Sequence, residues 1–301
     1  MARPALSASR TVALLNHLAA HRGESFTLTE LTRELGVNSA SLHAVLRVLE
    51  QTEYVVRDGT RKTYRLGPTL VAVGQVALDE HPAVRLSRER AAELAERLGL
   101  ECLVTIPAGA EFLVVGVAGP GGRSKLRHDV GHRIPFMPPI GILVAGFLDD
   151  ARREAWIDGL GPNSTAEDRE VYRRAAAWCR RRGYEIGLDT PARQRILRVM
   201  LAIAESPLSP ELHAELLERV RDLGREDHLL LDPEPGVRYP LDHIVAPIFG
   251  TRGEIVAGMT LIDFPEPLDP GQIDELVRLL TSAAADVTAS TGGRIPLDVG
   301  V

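Results

Sequence analysis

At 301 residues the chain is long enough for two domains with separate cores, and its 45% hydrophobic and 25% charged residues exclude a disordered or fibrous protein. The start, Met1-Ala2-Arg3-Pro4, has no apolar signal core, and no apolar run reaches the roughly 18 residues of a membrane span, so a cytoplasmic protein without a membrane partner is expected. The net charge of -6 hides an asymmetry: residues 1–75 hold nine basic and six acidic side chains, a balance of +3, which leaves -9 for the remainder and suits a polyanion-binding head on an acidic body.

Residues 1–8 read as a loose arm. Ser9 is placed to cap a first helix with Val12, Leu14, Leu15 and Leu18 inward, ending near His21-Arg22-Gly23. His17 and His21 stand four apart on it, but a metal site needs three or four ligands and no third is near. Thr27-Leu28-Thr29-Glu30 has capping-box spacing, and Leu28, Leu31 and Leu35 form the apolar stripe of a second helix that Gly36 ends, with Val37 as the turn residue. Asn38 or Ser39 caps a third helix. Its buried side is Leu42, Val45, Leu46 and Leu49; its other side is Ser39, Ala40, Ser41, His43, Ala44 and Arg47. Small residues near the helix start allow deep entry into a major groove, where Ser, His and Arg can donate to bases or phosphates. Tyr54–Arg57 and Thr63–Leu66 read as strands around an Asp58-Gly59-Thr60 tip, a wing that carries Arg57, Arg61, Lys62 and Arg65. Helix, turn, helix and basic hairpin together outline a winged helix-turn-helix.

Past the wing, a helix from Gly67-Pro68-Thr69 carries Leu70, Val71, Val73, Val76 and Leu78 around most of its circumference and needs a cover, either the wing domain or the same helix of a second copy. The boundary falls at His81-Pro82. Val84–Leu98 reads as a helix capped by Gly99. Strands are expected at Glu101–Pro107, Phe112–Ala118 and Ser124–Val130, with Ala108-Gly109-Ala110 as a turn. Helices follow at Ile140–Leu148, Ala151–Leu160 and Ala166–Arg182, and Tyr184-Glu185-Ile186 resumes a strand. Asp242–Phe249 and Glu254–Asp263 form a hairpin before a last helix, Pro270–Ser290. This order suits an α+β domain with one antiparallel sheet. Cys102 and Cys179 form no Cys-x-x-Cys pair, so buried reduced thiols are expected.

Thr11–Gly67, through Leu28-Thr29-Glu30-Leu31, Leu35-Gly36-Val37, Leu46-Arg47-Val48-Leu49 and Tyr64-Arg65-Leu66-Gly67, resembles the N-terminal domain of the IclR family of bacterial transcriptional regulators. Ile244-Val245-Ala246-Pro247-Ile248-Phe249 is similar to a strand of that family's effector-binding domain. The resemblance implies a winged helix-turn-helix at residues 1–67, a connecting helix at 68–81, and a GAF-like α/β effector-binding and oligomerisation domain with a mainly antiparallel sheet at 82–301. It implies a homodimer or homotetramer on a double-stranded DNA operator. It also implies a small-molecule effector, a carboxylic or aromatic acid, with no cofactor.

The sequence departs from the family at about 189–235, where Arg193–Glu205 and Pro210–Gly224 read as two extra amphipathic helices joined through Ser206-Pro207-Leu208-Ser209. A lid, an oligomer contact and plain surface packing all fit. Gly131–Gly141 precedes a helix whose first amides are suited to an anion, but Met137, Pro138 and Pro139 replace the small polar residues of the family and Ile142 replaces its lysine. Position by position, the resemblance puts Leu126, Ile134, Met137 and Ile140 on one wall of an effector pocket and Leu241, His243, Thr260 and Ile262 on the other. His243 can meet a ligand carboxylate or hydroxyl, or simply bond backbone. His128 and His132 flank Asp129 at a strand end, a poor metal geometry, and Arg123, Lys125 and Arg127 alternate as a solvated face.

A DNA-binding regulator is the leading expectation, with bases read by Ser39, Ala40, Ser41, His43 and Arg47 and phosphates met by Arg57, Arg61, Lys62 and Arg65. The alternatives are a sensor or oligomerising module with weak or no DNA binding and, less consistent with the residues, an enzyme. No Gly-x-Ser-x-Gly, His-Glu-x-x-His, phosphate-loop or dinucleotide motif is present, and no nucleophile lies beside an evident base.

Overall fold

The computed structural model describes residues 5–21, 23–120, 129–162, 164–205, 210–223 and 228–299, and the chain divides into two units, Met1–His81 and Pro82–Val301. In the first, helix α1 (Leu6–Ala20) begins ahead of Ser9, which lies inside it and donates its hydroxyl to the Ala5 carbonyl (3.3 Å) instead of capping. Residues 6–8 are therefore helical and not part of an arm. Leu14 and Leu18 are buried, whereas Val12 is 58% exposed, because a residue two before Leu14 sits about 200° round the helix from it.

Strand β1 (Phe26–Thr27) leads into α2 (Leu28–Leu35) through the expected capping box: Thr27 Oγ1 accepts the Glu30 amide (3.3 Å), and the Glu30 carboxylate accepts the Thr27 amide (2.7 Å). Gly36 closes α2 at φ 61, a left-handed conformation that costs glycine little. Asn38, not Ser39, caps α3 (Ser39–Gln51), its Oδ1 accepting the Ser41 amide at 2.8 Å. Leu42, Val45, Leu46 and Leu49 are buried on α3 against α1 and α2. Strands β2 (Val55–Arg57) and β3 (Thr63–Leu66) form the wing, whose tip is held by Asp58 Oδ1 accepting the amides of Thr60 (2.8 Å) and Arg61 (2.9 Å). β1 adds to β3 as an unexpected third strand, in the order β1-β3-β2, too short for its period to register in the sequence. Helix α4 (Thr69–Asp79) buries none of its residues, and Val71 and Val76 are 75% and 58% exposed.

The second unit begins with α5 (Pro82–Leu98) and holds a six-stranded sheet of β4 (Glu101–Pro107), β5 (Glu111–Ala118), β6 (Arg133–Pro135), β7 (Glu185–Leu188), β8 (Leu241–Phe249) and β9 (Ile255–Ile262). The order is β6-β5-β4-β9-β8-β7 and every pairing is antiparallel. Its other helices are α6 (Ile142–Gly146), α7 (Asp150–Ile157), α8 (Ala166–Arg182), α9 (Pro191–Glu205), α10 (Pro210–Leu223) and α11 (Pro270–Ser290). Helices α5 and α11 cover one face of the sheet around Ile244, Ala246, Ile248, Met259 and Leu261. A second core gathers Trp156, Tyr172, Ile196, Ile203 and Leu216 from α7, α8, α9 and α10, so α9 and α10 are part of the packing.

Three expectations change. Of the strand placed at Ser124–Val130, residues 124–128 lie outside the described residues, and Asp129–Val130 lead into a turn; the edge strand is Arg133–Pro135. The helix placed at Ile140–Leu148 shrinks to five residues because Gly141 takes φ 87, which a right-handed helix cannot include. Ala151–Leu160 becomes α7, capped by Asp149, followed by a 3₁₀ turn at Asp158–Leu160. Cys102 and Cys179 are buried free thiols, and burial pushes the Cys102 pKa up to about 12. No helix among the described residues is long and apolar enough to cross a membrane.

Leu42 is fully buried between the three helices of the first unit. Replacing it with alanine should cost that unit about 2 to 5 kcal/mol, seen as an earlier chemical unfolding transition. An unchanged transition would contradict its place in the core.

Candidate functional site

Two surfaces answer to the residues singled out in the sequence. On α3, Ser39, Ala40, His43 and Arg47 are exposed, opposite the buried leucines. Ser41 is half-buried and its hydroxyl accepts from Arg10 Nη1 at 2.6 Å, so Arg10 of α1 joins this face, a residue the sequence reading passed over. On the wing, Arg57, Arg61, Lys62 and Arg65 are all exposed, and the Arg57 guanidinium stands 5.7 Å from the Tyr64 ring centroid. A helix face of small and polar residues and a hairpin carrying four cations thus come from one three-helix core.

The second surface is a cavity of about 180 Å³ on the face of the six-stranded sheet opposite α5 and α11. Ile134, Ile140, His243, Thr260 and Ile262 line it, together with Leu103, Phe112 and Val245. Three expected wall residues do not. Leu126 lies outside the described residues; Met137 packs against the second core; Leu241 is buried in the first core. The reason for Leu241 is a β-bulge. β8 pairs His243 with Gly187 but Leu241 with Leu188, so Asp242 is an extra residue and the alternation of β8 changes phase there. Asp242 and His243 consequently both line the cavity, while Leu241 and Ile244 turn to the other core. Gly187 permits this arrangement, since a Cβ there would overlap the His243 ring.

The His243 ring nitrogens meet side chains and not backbone. Nε2 lies 3.1 Å from Glu185 Oε1 and Nδ1 2.7 Å from Asp242 Oδ2. Arg193 of α9, only 7% exposed, donates from Nε to the same Asp242 oxygen at 2.6 Å, and its Nη2 is 2.8 Å from His243 Nδ1. The other Glu185 oxygen accepts the Leu143 amide at the start of α6 (2.9 Å). That amide, expected to hold an external anion, is therefore occupied by the protein's own carboxylate. Burial and Arg193 lower the His243 pKa, but the bonds to Asp242 and Glu185 outweigh them and hold it above its ordinary value. Burial raises the Glu185 and Asp242 carboxyls, yet His243 and Arg193 reverse this and keep both below the usual range. With both ring nitrogens protonated, Nδ1 donates to Asp242 and the Arg193 Nη2 is a close neighbour of like charge, not a bonding partner.

Arg193 and Leu197 reach the cavity from α9, which forms one of its walls. Their register on an amphipathic helix was visible in the sequence, but nothing there tied that helix to Asp242, 49 residues on. Elsewhere, His21 Nδ1 is 2.8 Å from the His17 carbonyl, and His17 Nε2 is 2.9 Å from Glu34 Oε2. His132 Nδ1 accepts the Asp129 amide (3.3 Å); His128, Arg123, Lys125 and Arg127 lie outside the described residues. No group of three or more His, Cys, Asp or Glu among the described residues could hold a metal ion.

Residues 7–59 match the family model of the IclR helix-turn-helix domain. The probable HTH-type transcriptional regulator ArcR of Halobacterium salinarum is 28% identical over 188 residues, 60% of this chain and 70% of that protein. Among solved structures, the IclR transcriptional regulator of Alicyclobacillus acidocaldarius superposes with a TM-score of 0.68 at 20% identity, over 96% of this chain and all of that one. An IclR homolog from Microbacterium hydrocarbonoxydans complexed with 4-hydroxybenzoate does so with a TM-score of 0.59 at 18% identity, over 95% and 98%.

The depressed carboxylates stabilise the fold above about pH 4 and lose that contribution as pH falls through their folded pKa values; the raised His243 stabilises it below about pH 6.5 and loses its contribution as pH rises through its folded pKa. Denaturant unfolding followed across pH 5 to 10 should show an alkaline decline that His243→Gln removes. At pH 7, Glu185→Ala should cost about 3 to 5 kcal/mol, because it strands a buried charge. A decline of equal size in wild type and His243→Gln would assign it to other groups.

Proposed function

The chain belongs to the IclR family of transcriptional regulators, and we propose that it acts in the cytoplasm as a homodimer, alone or paired into a tetramer, on a double-stranded DNA operator, with the cavity of the second unit taking a small organic effector that alters operator affinity. It is a regulator and not an enzyme. The observation that carries the DNA reading is the solvent face of α3, with Ser39, Ala40, His43 and Arg47 free of core contacts, on the same core as a wing bearing four exposed cations. In this reading the α3 residues, with Ser41 and Arg10 beside them, approach base edges, and Arg57, Arg61, Lys62 and Arg65 meet phosphates.

The exposed valines of α4 support a dimer: an apolar helix with no buried residue is stabilised by a like surface, and two readers are needed for two half-sites at a fixed spacing. For the effector, the cavity compares in volume with the ~150 Å³ engineered cavity that takes benzene, so a molecule of one ring or its equivalent fits. The 4-hydroxybenzoate in the Microbacterium homolog is of that size class. Coupling is expected to be reciprocal: an effector that lowers operator affinity by some factor binds more weakly, by the same factor, to the DNA complex.

Operator fragments selected from random DNA by the full chain provide the test. In mobility shifts, Arg47→Ala should lose about 1 to 3 kcal/mol on the selected sequence and little on random DNA, whereas Arg57→Ala should weaken both and flatten the salt dependence. Equal losses of Arg47→Ala on both would remove it from base reading. Val76→Glu should shift the sedimenting species from dimer to monomer, and an unchanged mass would move the dimer contact away from α4.

A further inference from the structure

The polar end of the cavity is electrically closed. Four ionisable side chains line it, Glu185, Arg193, Asp242 and His243. Two carboxylates and two cations sum to zero, and loss of the His243 proton leaves one net negative charge, never a positive one. Each cation already faces a carboxylate: Arg193 Nε meets Asp242, and His243 lies between Asp242 and Glu185. The Leu143 amide at the start of α6 is spent on Glu185. Buried Pro138 and Pro139 carry no amide hydrogen to offer. The other side chains of the lining are apolar, as at Leu103, Phe112, Ile134 and Leu197, or hydroxyl, at Thr105 and Thr260.

A ligand carboxylate entering this space would lose its hydration without gaining an unpaired cation, and would approach two fixed carboxylates. Burial of an uncompensated charge is among the costliest changes a binding site can impose. An uncharged polar group meets no such penalty. A carbonyl or hydroxyl can accept from the Arg193 N–H groups not directed at Asp242 or His243, and can exchange hydrogen bonds with the threonine hydroxyls, while the body of the ligand covers the apolar wall.

We propose that the effector is an uncharged molecule of about one ring, bearing an amide, ester, lactone or alcohol group and no free carboxylate, held with that group toward Arg193 of the inserted helix α9. This departs from the acid implied by family resemblance, and it rests on reading the cavity as the effector site. It makes Arg193 and Asp242 the residues that set ligand charge: Arg193 supplies donors, and Asp242 cancels the charge that would otherwise recruit an anion.

The test compares the full chain with pairs matched in size and different in charge: benzamide and benzoate, 4-hydroxybenzamide and 4-hydroxybenzoate, phenylacetamide and phenylacetate, with γ-butyrolactone and 4-hydroxybutyrate as a pair without an aromatic ring. Melting temperature is followed against ligand concentration at pH 7.5. At least one neutral member should raise it saturably while its acid partner does not, and Leu197→Trp, which fills the cavity, should abolish the shift. In Asp242→Asn the preference should move toward the acid by about tenfold or more. Should that variant not fold, the wild-type pairs decide by themselves. An acid that binds as tightly as its neutral partner overturns the inference and leaves the effector cavity standing. A saturable shift that persists in Leu197→Trp overturns it too, by placing the ligand elsewhere. Silence of all four pairs overturns both the inference and the effector reading of the cavity.

Discussion

The second unit depends on keeping four buried charges satisfied at once. Arg193, Asp242, His243 and Glu185 follow one another within hydrogen-bonding distance and end on the Leu143 amide, so a single chain of contacts joins α9, β8, β7 and α6. Ion pairs taken out of water add little net stability, but a partner removed from one leaves a stranded charge. The network therefore specifies geometry more than it supplies energy. It requires a bulge at Asp242, so that two consecutive side chains point the same way, and a glycine at 187, so that the imidazole can lie against the neighbouring strand.

That geometry also defines the cavity. Its floor is one face of the sheet, Ile134, Ile140 and Gly141 line it from the segment before α6, and Arg193 and Leu197 line it from α9. Because α9 also buries Ala192, Ile196, Val199, Met200 and Ile203, the wall it provides is part of a packed core. Helix α9 packs into the second core with one side and lines the cavity with the adjoining one, at Arg193 and Leu197. A ligand touching Arg193 would act on a helix already tied to β8, which is the kind of element through which a small binding energy can select between conformations.

The first unit is organised differently. Its stability is apolar and local, with short helices ended by side-chain caps and a hairpin tip built on one aspartate, and its polar groups point outward. Charge is buried in the unit proposed to sense a ligand and displayed in the unit proposed to read DNA. The same arginine-rich composition serves both because a guanidinium can be locked to a carboxylate in one place and left to solvent in another.

Much of this was legible in the chain itself. The Thr27–Glu30 capping box, the buried stripe of α3, the hairpin around Asp58, and helices Ala166–Arg182 and Pro270–Ser290 all appear where caps, glycines and periodicity put them. Those signals arise from interactions within a turn or two of helix or across one hairpin, which a linear sequence records directly. What only the tertiary structure decided has a longer reach: β1 pairing with β3, Arg10 meeting Ser41, the phase change that hides Leu241, and Arg193 finding Asp242, 49 residues away in the chain. A bulge or a buried ion pair is selected by whatever happens to pack opposite it, and that partner is distant in the chain. Sequence alone thus determined a winged helix-turn-helix in the first unit and an antiparallel sheet in the second; the charge lining the cavity was settled only when four side chains from three separate segments were brought together.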